Sequence, residues 1–232
     1  NHGLLCTSLE EMENRIPKLF IFNIQPIEKG GHITNWSFLD QFRYPSNAAI
    51  IADNFVFKEI SNDYSLRENN IIPILHYILP LQLEGHFDLT IFTRDIINID
   101  NEYKFLRTKL LDKLPYEINL SICKVDIGSL GIHDRDILTN YCWINSAAGF
   151  TLFNPTKKGI NVKHNTKVFI FPLTYMGNFH ESPEMGSDTS SPVQISYYSA
   201  LNTFKKIWRD LPDNIGIQKV FTGARKNRLL DN

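Results

Sequence analysis

The sequence predicts an α/β fold: a mainly parallel mixed sheet flanked by helices. Three observations carry that expectation. Short apolar runs rich in Ile, Val and Phe alternate with helical patterns through the middle of the chain. The connections are short, which favours parallel strands with helices packed on the sheet faces. The last of these strands leads into two segments joined by a tight connection, which read as a hairpin.

Taken in order, a polar lead-in holds Ser8 and Glu11 at capping-box spacing, and residues 19–24 form a first strand. Gly30-Gly31 breaks the chain, and Trp36, Leu39 and Phe42 turn inward from a short helix. Residues 48–57 are a buried-strand candidate with a polar pair. A helix is expected over 69–79, capped by Asn69 or Asn70 and tolerating Pro73 only in its first turn. Ile71, Ile74, Leu75 and Ile78 make its stripe, with His76 off it. Residues 87–93 form the next strand, ending at Arg94-Asp95. Asp100 is the expected cap of a helix over 102–114, in which Tyr103, Leu106, Leu110 and Leu114 recur at helical spacing. Residues 118–125 alternate as a strand and lead to the hairpin.

Beyond the hairpin, Lys157, Lys158 and Lys163 populate a loop. Residues 167–173 form another strand, with Pro172 marking an edge or an end. A Ser/Thr/Pro-rich loop over 186–192 precedes a helix reaching Trp208, with Tyr197, Leu201, Phe204 and Trp208 as its stripe. The basic tail holds Lys219, Arg225, Lys226 and Arg228. It reads either as a phosphate-backbone contact or, preferably, as a solvated end offset by Asp210, Asp213 and Asp231, with Leu229-Leu230 folding back. The chain divides into an extension with a strand (1–47), a core (48–175), and a loop, helix and tail packed on the same domain (176–232).

Composition narrows the function. A length of 232 residues, 43% of them apolar and 21% charged, suits a soluble globular protein with a sizeable core. A net charge of −1 argues against a strongly basic nucleic-acid binder and leaves only a local patch for that purpose. Cys6, Cys123 and Cys142 are far apart and form no Cys-x-x-Cys, which points to a reducing, cytoplasmic setting without disulfides or structural zinc. No apolar run spans a bilayer, and no signal peptide is visible. The histidines make no metal-binding motif, and no P-loop or nucleophile elbow occurs, so neither metal nor cofactor is expected.

The chemistry concentrates in the hairpin. In the first strand, alternation sets Ile132, Asp134, Asp136 and Leu138 on one side and His133, Arg135, Ile137 and Thr139 on the other. His133 and Arg135 then project together. A guanidinium supplies a planar fork for phosphate, and an imidazole can be nucleophile, acid or donor. The competing reading is a polar hairpin whose paired charges face water.

His133-x-Arg135-x4-Asn140, followed by Ser146-Ala147-Ala148-Gly149, resembles the His-x-Lys-x4-Asp motif of the phospholipase D-like superfamily. It is closer still to that superfamily's "His-Asp-Arg" variants, found in bacterial proteins and in the C-terminal domain of an MIT-domain protein. The resemblance spans about Ala48 to Phe153 and implies a single half of the two-motif fold. It implies a site of His133, Arg135, Asn140 and Ser146, with Arg135 and Ser146 as ligand contacts. Arginine stands here for lysine and asparagine for aspartate. Those departures favour binding of a phosphate-containing ligand (nucleic acid or phospholipid) or a protein partner over efficient turnover. The alternative is a metal-independent phosphodiesterase or nuclease of the bacterial defence-effector kind, in which a homodimer supplies the second His133.

Overall fold

Ala48–Ala52 (β2) is buried along its whole length, and the sheet is built outward from it. A computed structural model describes residues 20–58, 64–128, 135–156, 159–162, 165–173, 192–212 and 220–231, with 192–195 described in backbone only. Ser8, Glu11, His133, Lys157, Lys158, Lys163, Lys219 and nearly all of the 186–192 loop lie outside the described residues.

β2 pairs in parallel with β3 (His86–Thr93), and β3 pairs in parallel with β4 (Glu117–Lys124). On its other side β2 takes β5 (Arg135–Thr139) antiparallel. Antiparallel pairing continues through β6 (Cys142–Ser146), β9 (Thr166–Pro172) and β1 (Phe20–Ile24). β10 (Phe221–Gly223) lies antiparallel against β4, completing the order β1-β9-β6-β5-β2-β3-β4-β10. The expectation of a mainly parallel sheet is therefore corrected: the sheet is mixed, and only β2-β3-β4 is parallel. Each of the two parallel pairs is joined by a helical crossover, β2 to β3 and β3 to β4, as a parallel neighbour requires. Pro172 is the last residue of an internal strand, where its missing N–H does least harm.

The first crossover is two short helices, α1 (Ser65–Asn69) and α2 (Ile71–Ile78), where the sequence suggests one. Asn70 breaks them because its side chain is needed elsewhere. Its Oδ1 accepts from Trp36 Nε1 at 3.1 Å and from the Phe153 N–H at 2.9 Å. Its Nδ2 donates to the carbonyls of Leu66 and Phe153, both at 2.8 Å. The amide is buried and uses both of its ends. The α2 stripe is as the spacing implies: Ile71, Ile74, Leu75 and Ile78 are buried and His76 is exposed.

The second crossover is α3 (Ile99–Lys109), followed by a 3-10 turn at Leu111–Lys113. Asn98 caps it by accepting from the Asn101 N–H. The expected cap, Asp100, instead accepts from Thr222 Oγ1 of β10 at 2.6 Å. A buried ion pair joins the two crossovers. Arg67 Nε and Nη2 donate to Glu102 Oε2 and Oε1 at 2.8 and 2.7 Å.

These crossovers and the 3-10 helix Trp36–Phe42 cover one face, with Ala49, Ile51, Leu89, Ile91 and Ile137 beneath them. A small hairpin, β7 (Phe153–Thr156) with β8 (Gly159–Val162), adds Phe153 and Val162 to the same core. The opposite face carries α4 (Pro192–Arg209), whose Tyr197, Leu201, Phe204 and Trp208 pack on Ile50, Ala52, Phe92 and Leu138. Full burial of each such side chain stabilises by about 1.5–3 kcal/mol.

The tail differs from the expected solvated end. It adds β10 to the sheet, buries Leu230 in the core under α4, and sends Asn227 and Arg228 to the amino ends of β2 and β3. The Leu229-Leu230 pair does fold back. No helix among the described residues is long and apolar enough to cross a membrane.

Candidate functional site

The three parallel strands end at one rim, and each is followed by polar residues. Asp53 and Asn54 follow β2, Arg94 and Asp95 follow β3, and Asp126 follows β4. β5 runs the other way, so its first residue, Arg135, arrives at the same rim: Ala52 pairs with Asp136, one residue on. Open α/β sheets take ligands beyond the carboxyl ends of their strands, where neighbouring connections diverge. β2 is such a place, with a parallel neighbour on one side and an antiparallel one on the other.

The rim is knitted together by side chains. Asn54 Nδ2 donates to Asp126 Oδ1 at 3.1 Å, and Asn54 Oδ1 accepts from the Ile127 N–H at 3.2 Å. Asp53 is fully buried and accepts from the N–H groups of Phe55 at 2.8 Å and Phe150 at 2.7 Å. Burial lifts its carboxyl above the usual range. The two N–H groups and the Arg135 charge pull the other way without cancelling that rise. Gly149 passes against this carboxylate at φ +85°, and a Cβ there would lie 2.9 Å from Asp53 Oδ2.

Phe55 is half-buried at the centre of the rim. The Arg94 and Arg135 guanidinium carbons lie 5.2 and 5.6 Å from its ring centroid, and the Lys58 ammonium lies 5.3 Å away. Arg135 Nη1 also donates to the Ala147 carbonyl at 2.8 Å, tying β5 to the turn after β6. Arg94 Nε donates to Asp95 Oδ1 at 2.9 Å and Nη1 to Asp126 Oδ2 at 3.5 Å. The rim thus gathers three cationic groups around one ring, with the carboxylates of Asp95 and Asp126 paired to Arg94.

The sequence-predicted residues divide. Arg135 and Ser146 are register partners and come together. Ser146 is fully buried, and its hydroxyl donates to the Gly149 carbonyl at 2.7 Å, so it shapes the turn and does not face solvent. Asn140 lies beyond the far end of β5, about 16 Å from Arg135 at the rise of a strand. Its Oδ1 accepts from the N–H groups of Asn47 and Ala48 at 3.0 and 2.9 Å, which stitches the hairpin turn to the start of β2. Asp136 is buried, accepting from Trp143 Nε1 and Asn145 Nδ2. His133 is outside the described residues.

Asp53, Phe55, Lys58 and Arg94 were not among the expected site residues. For Asp53 and Arg94 the signal is positional, since each immediately follows a buried strand; Phe55 and Lys58 carry no such signal. Set against known proteins, the chain matches no family model and no curated protein.

Proposed function

We propose that this chain is a degenerate phospholipase D-like protein that binds a phosphate-containing ligand through His133 and Arg135 without efficient turnover. The ligand is a nucleic acid or a phospholipid; the same surface would serve a protein partner bearing a comparable anion. The observation that carries the reading is Arg135 at the head of β5, on the rim where α/β sheets take ligands. Its planar fork suits a phosphate oxyanion. The argument against turnover is chemical. Asn140 cannot supply the carboxylate charge that would help orient or charge a histidine, and its Oδ1 is already engaged by two backbone N–H groups.

The test is a metal-free phosphodiesterase assay with nucleic acid and with bis-p-nitrophenyl phosphate. The expected result is no turnover above background, alongside measurable binding that weakens about tenfold in Arg135→Gln. Hydrolysis that disappears in His133→Ala would overturn the choice. It would favour a homodimeric, metal-independent phosphodiesterase in which two copies of His133 share one phosphate.

A further inference from the structure

We infer that Phe55, Lys58 and Arg94 form a second oxyanion position beside Arg135, so that the rim takes a ligand with two adjacent phosphoryl groups. This deepens the phosphate reading above and rests on it for the first position. The residues of the second position come from the turn after β2 and the end of β3, not from the hairpin.

Three cationic centres approach one aromatic ring at 5.2, 5.3 and 5.6 Å. Like charges gathered this closely repel one another, and a protein commonly relieves that with one carboxylate each. Here one ring also holds all three. A cation at a ring is attracted by the ring quadrupole, which fixes its position without cancelling its charge. Lys58 is exposed and has no carboxylate partner among the described residues. Arg94 does have partners, Asp95 and Asp126, but those pairs are solvent-exposed: Arg94 is 43% exposed, Asp95 33% and Asp126 38%. Exposed pairs contribute little to stability. A phosphoryl oxyanion, with more charge and a geometry that fits the guanidinium fork, displaces them at small cost.

The ring-centroid distances cap the separation of any two of the cations at about 11 Å, so all three border the one ring that the ligand would cover. A single phosphate occupies the Arg135 position. A second phosphoryl group joined to it falls between Arg94 and Lys58. The same chemistry is presented by a diphosphate ester, by neighbouring phosphates of a nucleic-acid strand and by a polyphosphorylated lipid headgroup.

The probes are inorganic orthophosphate and inorganic pyrophosphate, titrated calorimetrically into the full chain at low salt. Pyrophosphate is expected to bind about tenfold tighter than orthophosphate. In Lys58→Gln/Arg94→Gln the ratio of the two affinities should fall to about one, and Lys58→Gln alone, at an exposed position, should lower it about threefold. Arg135→Gln should weaken both ligands. Equal affinities in the wild-type chain, or a ratio unchanged in the double variant, would overturn the second position. If orthophosphate still binds through Arg135 in that case, only this inference fails. If neither anion binds, the phosphate reading falls with it. Once the ratio is established, a diphosphate ester, a short oligonucleotide and vesicles carrying a polyphosphorylated headgroup are compared as competitors of pyrophosphate. Competition by one identifies the source, and competition by none of them overturns the assignment to phosphate esters.

Discussion

Arg228 reaches back 140 residues to Asp88, its Nε donating to Asp88 Oδ2 at 2.9 Å while its backbone N–H donates to the same oxygen at 3.1 Å. Asn119 Nδ2 donates to the other oxygen at 2.8 Å. Burial alone would lift the Asp88 carboxyl, but hydrogen bonds from Arg228 and Asn119 outweigh it and hold the group below its usual value.

Arg228→Ala should therefore destabilise the fold by about 1–2 kcal/mol near neutral pH, read from urea unfolding. The effect depends on pH in one direction. The folded carboxyl is depressed below the unfolded value of 3.8, so its contribution is present above that value and lost as pH falls through the folded one. The difference between wild type and variant should shrink on acidification. A difference that grows instead would contradict this account.

Asn70→Ala should be among the costlier single changes in the core. It strands the Trp36 indole N–H, the Phe153 N–H and the carbonyls of Leu66 and Phe153. Leaving buried groups unsatisfied costs about 1–3 kcal/mol each, and partial relaxation should hold the total near 3 kcal/mol. A lowered unfolding midpoint with altered Trp36 fluorescence is the expected result.

Glu102→Ala should cost about 3–5 kcal/mol, because it removes the carboxylate that the buried Arg67 guanidinium bonds through both Nε and Nη2. Arg67→Met/Glu102→Leu should recover most of that loss, since removing both charges removes the desolvation penalty as well. Denaturation of the two variants side by side decides the point.

Asn140→Ala and Arg135→Gln should part company. The first loses two hydrogen bonds at the start of β2, costs about 1–2 kcal/mol of stability and leaves phosphate affinity unchanged. The second weakens phosphate binding. Orthophosphate titration and thermal unfolding of both variants check this.

What could be read in advance was what is local. The stripes of α2 and α4 follow from spacing alone, as does the inward turn of Trp36, Leu39 and Phe42, because burial on one side of a helix repeats every three or four residues. The break at Asn70 was hidden, since its partners lie 34 and 83 residues away. β7 and β8 are four residues each, one of them containing Pro155, and they carry almost no periodic signal. The tail looked solvated because its counter-charge is Asp88, not its neighbours in sequence. In the site, alternation along β5 did separate Arg135 from Asp136. Lys58 and Arg94 stayed invisible because only the sheet brings the ends of β2 and β3 beside Arg135.

The placement of β10 bears on how the chain is made. During synthesis β4 emerges with one side unpaired and Asp88 without its guanidinium until residues 221–228 follow. A ribosome that stalls before that stretch releases a protein with an open strand edge and a buried carboxylate whose Oδ2 lacks both of its Arg228 donors. Such a product should be cleared by proteases well before a finished copy is.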